Sequence, residues 1–403
     1  MDKPLSSPAL VARRSAIRAA RPEDAARLAD MFMRVFRKGS GAGDPALQQD
    51  IRDILIEHPD RREGVETLVL ERGDGDLAGM IGSVPIPMRF DNRDLLASAS
   101  STWMVENRTR DPLAASQLLR AYFRGPRDIT FADTVNGTTL EFQKTMKQSF
   151  LPTISLQWVF PINYAGYVAA AAVDRSGLSG ARGLVPLAAR AEEIALRLAR
   201  RARTLDDCAY EARACARGDF ASAWSDLAAG RKLRPLWSQT RIEWILGHAE
   251  RRASLGPLAL RRVCDERGDL AGCGAYHVGA SGRGLALTIL ARPHLEADVL
   301  RALLRDARAQ GCVRMCGAAD AQLMQGLARV GGVFYRHTCA SVIDARDPQV
   351  LQTALAGDAV FGGLVGDGWS PLATESYAFP DDAGGRKPDL GRARRGRIPR
   401  LVK

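Results

Sequence analysis

The sequence predicts an α+β (α/β) protein of two similar domains, each with a mixed, mostly antiparallel central sheet flanked by helices. The chain has 403 residues, of which 46% are hydrophobic and 26% are charged, as is typical of a soluble globular protein. That length favours two domains over one. In addition, the same order of predicted strands and helices occurs in both halves, and such internal duplication favours a shared architecture.

The first half contains predicted strands and helices in a definite order. Residues 15–20 form a predicted strand, and two helices follow, the first with apolar residues at helical spacing. The strands VETLVLE and LAGMIGSVPIPMRF come next, and Gly79 and Gly82 in the second indicate a β-bulge or a close backbone contact. The later elements are strand LLASASSTWMV, helix LAASQLLRAYF, strand DITFADTV, a helix from Asn136, and a final strand PTISLQWVFPI.

A Gly/Ala/Ser-rich connection from Tyr164 to Pro186 and a basic amphipathic helix separate the halves. That helix could pack between the domains or lie on a membrane surface. The strand and helix order then recurs from Cys208 to Ala345. We therefore predict a first domain at residues 1–163, a linker with the basic helix at 164–206, a second domain at 207–378, and a disordered basic tail at 379–403.

The junction between strand ASASSTWMV and helix LAASQ is the main candidate binding site. Arg110 and Asp111 lie in the turn, and the small residues Ala114, Ala115 and Ser116 form the first helical turn. The first N–H groups of a helix have no intrahelical partner, and the helix dipole adds partial positive charge. Together they suit a phosphate or a diphosphate. An ordinary ligand-free strand-to-helix connection is the alternative.

This junction resembles the acyl-CoA-binding motif of the GNAT superfamily of N-acetyltransferases, in which a strand is followed by Arg/Gln-x-x-Gly-x-Gly/Ala and a helix. The corresponding residues are Arg110-Asp111-Pro112-Leu113-Ala114-Ala115. Arg110 and Ala115 match, whereas Leu113 replaces the usual glycine and Pro112 lacks an N–H group. The order of elements and the phrase IRAARPEDAARLADMF are also similar to this superfamily. The second half lacks the corresponding turn, so we expect it to bind coenzyme A poorly.

The resemblance implies acetyl-CoA or another acyl-CoA as co-substrate and direct transfer to a small amine in a ternary complex, with no metal. Two parallel strands, at Ser101–Val105 and Ile129–Asp133, would part and hold the pantetheine arm between them. Backbone N–H groups near Met104 and Val105 would face the thioester carbonyl. The implied cofactor-binding residues are Met104, Val105, Arg110, Asp111, Leu113, Ala114, Ala115, Ser116 and Asn136.

Glu106 and Asp133 are the candidate catalytic bases, because each lies at the end of one of those two strands. Glu106 could instead be a solvated turn acid, and Asp133 could cap the following helix. Family members often use a tyrosine in that helix to protonate the thiolate, but Gln143 stands there. Water, another acid or loss of activity would account for this. His248 and His277 could supply acceptor-site groups, although a lone histidine in a strand is more often structural.

The charge distribution and the cysteines of the chain indicate which binding partners and which cellular compartment suit the protein. No apolar run is long enough to span a bilayer, no secretory signal is recognisable, and seven scattered cysteines suit a reducing, cytoplasmic compartment. The net charge of +11 is concentrated partly in the tail, which could contact anionic lipid or an acyl carrier protein. We do not expect nucleic acid as a partner, because the tail has no aromatic residues to stack on bases. The alternatives to a CoA-dependent enzyme are a long-chain acyltransferase that uses acyl carrier protein and a non-catalytic binding or scaffold protein.

Overall fold

The protein is described here from a computed structural model, which covers residues 15–37, 44–106, 113–135, 148–176, 183–198, 205, 208–337 and 339–373. Its strands are β1 (Ala16–Ala19), β2 (Leu68–Glu71), β3 (Leu77–Phe90), β4 (Arg93–Val105), β5 (Ile129–Val135), β6 (Ser149–Phe150), β7 (Leu156–Pro161), β8 (Glu211–Ala214), β9 (Leu233–Pro235), β10 (Leu258–Cys264), β11 (Leu270–Val278), β12 (Arg283–Ala291), β13 (Arg314–Ala318), β14 (Phe334–His337) and β15 (Ala340–Ala345).

Helices cover both sheets. They are α1 (Ala25–Phe32), α2 (Pro45–Ile51), α3 (Ala114–Arg124), α4 (Tyr164–Ser176), α5 (Leu184–Leu198), α6 (Arg217–Ala228), α7 (Gln239–Glu250), α8 (Glu296–Ala309), α9 (Ala321–Val330) and α10 (Pro348–Leu355). The first two continue as π-helical turns, at Met33–Arg37 and Arg52–Ile56. The α+β fold class predicted from the sequence is confirmed. None of the described helices is both long and apolar enough to cross a bilayer.

The first sheet has the order β1-β2-β3-β4-β5-β15-β6, and β9 pairs with the far end of β3. Its neighbours are antiparallel except for β4 and β5, which are parallel. The last strand of the chain, β15, lies between β5 and β6 and runs antiparallel to both. The C-terminal half therefore contributes an internal strand to the sheet of the N-terminal half.

The second sheet has the order β14-β7-β13-β12-β11-β10-β8, with β12 and β13 as its parallel pair. Its strand β7 comes from the N-terminal half and is antiparallel to both β13 and β14. The expectation that PTISLQWVFPI completes the sheet of the first half is therefore wrong. Side-chain alternation specifies which face of a strand is buried, but not which strand pairs with it. The domain boundary at residue 163 stays a prediction. Each side of it contributes a strand to the sheet of the other side, β7 to the second sheet and β15 to the first.

The connection predicted between Tyr164 and Pro186 is largely helical, because α4 occupies Tyr164–Ser176. Alanine has the highest helix propensity, which outweighs the single internal glycine here. Helix α5 packs beside α4, and Val185 and Val173 are buried between them and Val313. The apolar residues Ile194 and Leu198 of α5 are exposed.

A continuous apolar core joins the two halves. One cluster of buried residues includes Phe131 and Ile343 of the first sheet and also Trp224, Leu287 and Trp369 from the C-terminal half. A second cluster lies under α8 and includes Trp158 of β7. The first cluster draws on both halves, so the two sheets share this part of the core. The predicted basic tail at 379–403 lies outside the described residues.

Shortening the buried side chain that β15 contributes to the core should destabilise the first sheet. Ile343 is fully buried and lies opposite Phe131 of β5. Ile343→Ala removes buried methyl groups and leaves a cavity, so we expect a loss of about 2–5 kcal/mol in unfolding free energy by urea titration. Leu355→Ala, at an exposed position of α10, is the control and should cost under about 0.5 kcal/mol. Equal effects of the two changes would contradict the strand exchange.

Candidate functional site

The parallel strands β4 and β5 pair only along part of their length. Their ladder consists of Ala97–Ala99 opposite Ile129–Phe131. Beyond these residues β4 continues to Val105 on β3, and β5 continues to Val135 on β15. We call this opening, which begins after Ala99 and Phe131, the first fork. Backbone groups on its two facing edges have no partner strand in the described residues, so they are available to a ligand.

A β-bulge shapes the β4 side of the first fork. Ser101 lies opposite Gly82 and Met104 lies opposite Met80, so Thr102 and Trp103 together face a single residue of β3. Thr102 has a φ of 49°, which is strained for a β-branched residue. Bulges of this kind are frequent beside active sites, where they turn backbone groups towards a ligand.

The glycines of β3 make this close pairing possible. A Cβ atom at Gly82 would lie 2.6 Å from the carbonyl oxygen of Ser101, and one at Gly79 would lie 2.7 Å from that of Met104. The close backbone contact predicted from these glycines is confirmed. The strained residue Thr102 was missed, because the two glycines indicate a bulge without giving its position on the partner strand.

Helix α3 begins at Ala114, directly after the junction that was singled out from the sequence. No described side chain caps its N-terminus, and Ser116 Oγ instead donates to the carbonyl oxygen of Leu113 at 2.9 Å. Ala114 is buried against β3, Leu113 is exposed, and Ala115 is half-buried. The first N–H groups of α3 are therefore not consumed by a described capping side chain. Arg110, Asp111 and Asn136 lie outside the described residues.

Met104 and Val105 have their side chains in the cores on either side of the first sheet. Their backbone is thus the only part of either residue that remains for a ligand in the first fork. Glu106 follows at the strand end, where its Oε1 lies 2.5 Å from Nε of Arg34. This ion pair is partly exposed, and such pairs stabilise a fold only weakly.

Asp133 has an unexpected neighbour in the C-terminal segment, residues 359–373. The backbone N–H of Asp367 donates to Oδ1 of Asp133 at 3.5 Å, and Thr134 Oγ1 donates to Oδ1 of Asp367 at 3.3 Å. A Cβ atom at Gly366 would collide with the Asp133 carboxyl, so a residue without a side chain is needed there. Burial raises the pKa of Asp133 well above its usual range, and the negative charge of Asp367 raises that pKa further.

Asp367 is a residue that the sequence reasoning missed. The glycine-rich run GGLVGDGWS around it is the signal that could have indicated a segment fitted closely against other backbone. Asp133 and Asp367 form what we call the acid pair.

No family model matches the sequence, and no curated protein matches it either. Solved structures do match. A conserved protein of unknown function from Enterococcus faecalis V583, described as a probable N-acyltransferase, aligns with a TM-score of 0.54 and 9% identity over 82% of this chain and 72% of its own. A GCN5-related N-acetyltransferase from Anabaena variabilis aligns with a TM-score of 0.50 and 10% identity over 83% and 73%.

The chain has the GNAT fold. The alignments extend over most of the chain, so they are not confined to one of its halves. The likeness in structure agrees with the resemblance read from the junction after β4 and from the order of elements.

The GNAT-like second sheet repeats the fork in a different form. Strands β12 and β13 pair from Arg283 opposite Arg314 to Ala286 opposite Gly317, and β12 then continues to Ala291. We call this opening the second fork. The C-terminal segment enters it, since a Cβ atom at Gly363 would collide with the carbonyl oxygen of Leu287.

Helix α8, which follows β12, begins differently from α3. Its first turn carries Glu296 and Asp298, and Glu296 Oε1 accepts from the backbone N–H of His294 at 3.2 Å. Negative side chains at a helix N-terminus occupy the place that a phosphate would take and repel it. This arrangement supports the expectation that the second half binds coenzyme A poorly.

His277 and His248 are packing residues in this GNAT fold. His277 is fully buried, its Nδ1 lies 2.9 Å from the carbonyl oxygen of Gly256, and burial lowers its pKa to about 4. His248 lies against the rings of Trp244 and Trp369, and burial lowers its pKa to about 4 as well. Neither lines the cavity next to Asp133.

The buried histidines predict sensitivity to acid. In the unfolded chain a histidine titrates near pH 6.5, so between about pH 6.5 and pH 4 the unfolded state binds more protons and stability falls as the pH falls. His277→Asn should therefore reduce the loss of unfolding free energy between about pH 7 and pH 5 by about 1–2 kcal/mol. His337→Asn, at an exposed position, is the matched control. An unaltered pH dependence in the His277 variant would show that the imidazole takes up its proton over the same pH range in the folded and the unfolded protein, and would contradict the lowered pKa.

Proposed function

We propose that the protein is an acyl-CoA-dependent N-acyltransferase, with acetyl-CoA as its simplest donor and a small amine as its acceptor. The observation that carries this proposal is the first fork, which opens beside a β4 bulge, together with the start of α3 after β4, which no described side chain caps. In the GNAT fold such parted strands hold the pantetheine arm. The likeness to an N-acetyltransferase and to a probable N-acyltransferase supports the reaction class.

The cofactor would be held mainly by backbone groups. The N–H groups at the start of α3, at Ala114, Ala115 and Ser116, would bind the diphosphate together with Arg110. The backbone N–H of Val105 would face the thioester carbonyl and stabilise the oxyanion, whereas that of Met104 is on the β3 side of the strand, like that of Glu106, which donates to the carbonyl oxygen of Ala78. The remaining proposed contacts are Asp111, Leu113 and Asn136.

The transfer step needs a base for the acceptor ammonium. Asp133 is the stronger candidate, because its raised pKa makes the carboxylate a better proton acceptor near neutral pH. Glu106 is the second candidate, and its carboxyl group is already engaged by Arg34. After the proton is removed, the amine nitrogen forms the C–N bond as the C–S bond breaks. The thiolate leaves with the electron pair and takes a proton from solvent.

Diphosphate binding at α3 can be tested without disturbing the helix. Ala115→Glu places a negative charge in the first turn, which repels the diphosphate yet suits the helix dipole. Ala115→Gln is the neutral control of the same length. In the parent protein, acetyl-CoA at a hundred times its dissociation constant should add roughly 2.7 kcal/mol to the unfolding free energy. We expect Ala115→Glu to bind acetyl-CoA at least about tenfold more weakly than Ala115→Gln.

Measuring how much acyl-CoAs of different chain length stabilise the protein against thermal unfolding distinguishes the alternatives. Stabilisation by long-chain acyl-CoA alone would point to a long-chain donor, for which an acyl carrier protein is the alternative carrier. No stabilisation by any acyl-CoA would refute the proposed activity and favour a non-catalytic binding or scaffold protein.

The two candidate bases can be separated by kinetics. Once an acceptor amine is found, Asp133→Asn should lower kcat about 10²–10⁴-fold while the KM for acetyl-CoA stays nearly unchanged. The rate of the parent enzyme should rise with pH through the raised pKa of Asp133, because only the carboxylate accepts a proton. Glu106→Gln should change kcat little. The reverse pattern would assign the base to Glu106.

A further inference from the structure

A cavity of about 80 Å³ lies between the end of β5 and the second fork. Asp133 and Thr134 line one side, Gln157 lines another, and Leu287, Ala318 and Gly363 belong to the remaining wall. An apolar protein cavity that binds benzene has a volume of about 150 Å³, roughly twice the volume of this one. This cavity therefore suits a group of a few non-hydrogen atoms rather than an aromatic ring.

Gln157 presents an unused hydrogen-bond donor at this cavity. The residue is only 1% exposed, and its Oε1 accepts from Nε of Arg336 at 2.6 Å. Because a guanidinium group can only donate, this contact fixes the orientation of the amide. Nε2 is then left as a donor, and it has no hydrogen-bond partner in the described part of the chain. A buried donor of this kind suits a ligand that brings an acceptor oxygen.

The cavity wall also includes Asp133, the member of the acid pair that lines it, while Asp367 lies behind Asp133. Asp367 is buried, and the carboxyl of Asp133 is closed in by Gly366. Two carboxyl groups in such contact cannot both ionise without repulsion, so together they hold a proton or attract a cation. Arg252 also lines the cavity, but its guanidinium donates to the carbonyl oxygens of Gly368 and Ala373. Asp133, backed by Asp367, is thus the part of the wall that suits an ammonium group.

We infer that this cavity binds the amine-bearing arm of the acyl acceptor, with the amine at the acid pair and an acceptor oxygen, such as an amide carbonyl, at Nε2 of Gln157. The role as an acceptor site rests on the function proposed above. It defines a substrate class: small aliphatic amines that carry a neutral carbonyl a few bonds from the nitrogen. Apolar walls from Ile154, Leu156 and Leu287 leave little room for a second charged group.

Three probes of equal size test the two contacts separately. Glycinamide has both the amine and the carbonyl, isobutylamine has only the amine, and propanamide has only the amide. We expect isothermal titration of the full chain to show that glycinamide binds at least about tenfold more tightly than either of the others, since each of those lacks one hydrogen-bonding group. Equal affinities, or no saturable binding of glycinamide, would overturn the inference.

Two variants locate the bound probe. Gln157→Glu keeps an oxygen acceptor for Arg336 but removes the amide donor, so it should weaken glycinamide relative to isobutylamine by about fivefold or more. The double variant Asp133→Asn/Asp367→Asn should abolish binding of both amines. Gln352→Glu, at an exposed position of α10, is the control and should leave all affinities unchanged. Circular dichroism establishes that each variant is folded, and an unchanged preference in a folded Gln157→Glu protein would place the probe elsewhere.

This binding test is independent of the acyl-CoA titration. If acetyl-CoA binds but glycinamide does not, the inference fails and the proposed function stands. If glycinamide binds with the predicted pattern while no acyl-CoA binds, the cavity is supported as an amine site and the transferase function is refuted.

Discussion

The pairing of β15 with β5 is the constraint on which the first fork depends. Where β5 parts from β4, its pairing with β15 along the other edge keeps it in the sheet. The antiparallel ladder with β15 extends from Ile129 to Val135, whereas the ladder with β4 ends at Phe131. The C-terminal half therefore holds β5 in place as it leaves β4. In this protein the fork of the first sheet is a product of both halves.

The C-terminal segment extends this interdependence from the backbone to the acidic side chains. Trp369 is fully buried, its Nε1 donates to the carbonyl oxygen of Gly366 at 2.8 Å, and its ring contacts that of Trp244. This anchor holds the neighbouring Asp367 against Asp133. Burial is the main cause of the raised pKa of Asp133, and the packing of Trp369 adds to it because that packing brings the second carboxyl near.

The sequence is informative where the physical cause is local and uninformative where it is not. Periodicity and turn residues predicted the order of elements, and Gly79 and Gly82 predicted a close strand contact that the bulge at Thr102 satisfies. Asp133 was recognised as a candidate because it ends a strand. Its partner Asp367 lies 234 residues away in the chain, and no local pattern connects them. The exchange of β7 and β15 was missed for the same reason, since both read as ordinary strands whichever sheet they join.

The two forks have the same strand topology, but the helices that follow them differ in charge: the first turn of α3 has no acidic residue, and that of α8 has two. This difference explains why the duplicated fold would have a single cofactor site. At α3 the first turn has alanine at 114 and 115, so its N–H groups and dipole remain available to an anion. At α8 the carboxylates of Glu296 and Asp298 already neutralise that dipole, and Gly363 brings the C-terminal segment into the adjoining fork. A diphosphate would therefore be attracted to the first fork and repelled at the second. Residues of the second fork, among them Leu285 and Leu287, instead line the small cavity that Asp133 also lines, so the duplication places the proposed acceptor cavity at the end of β5.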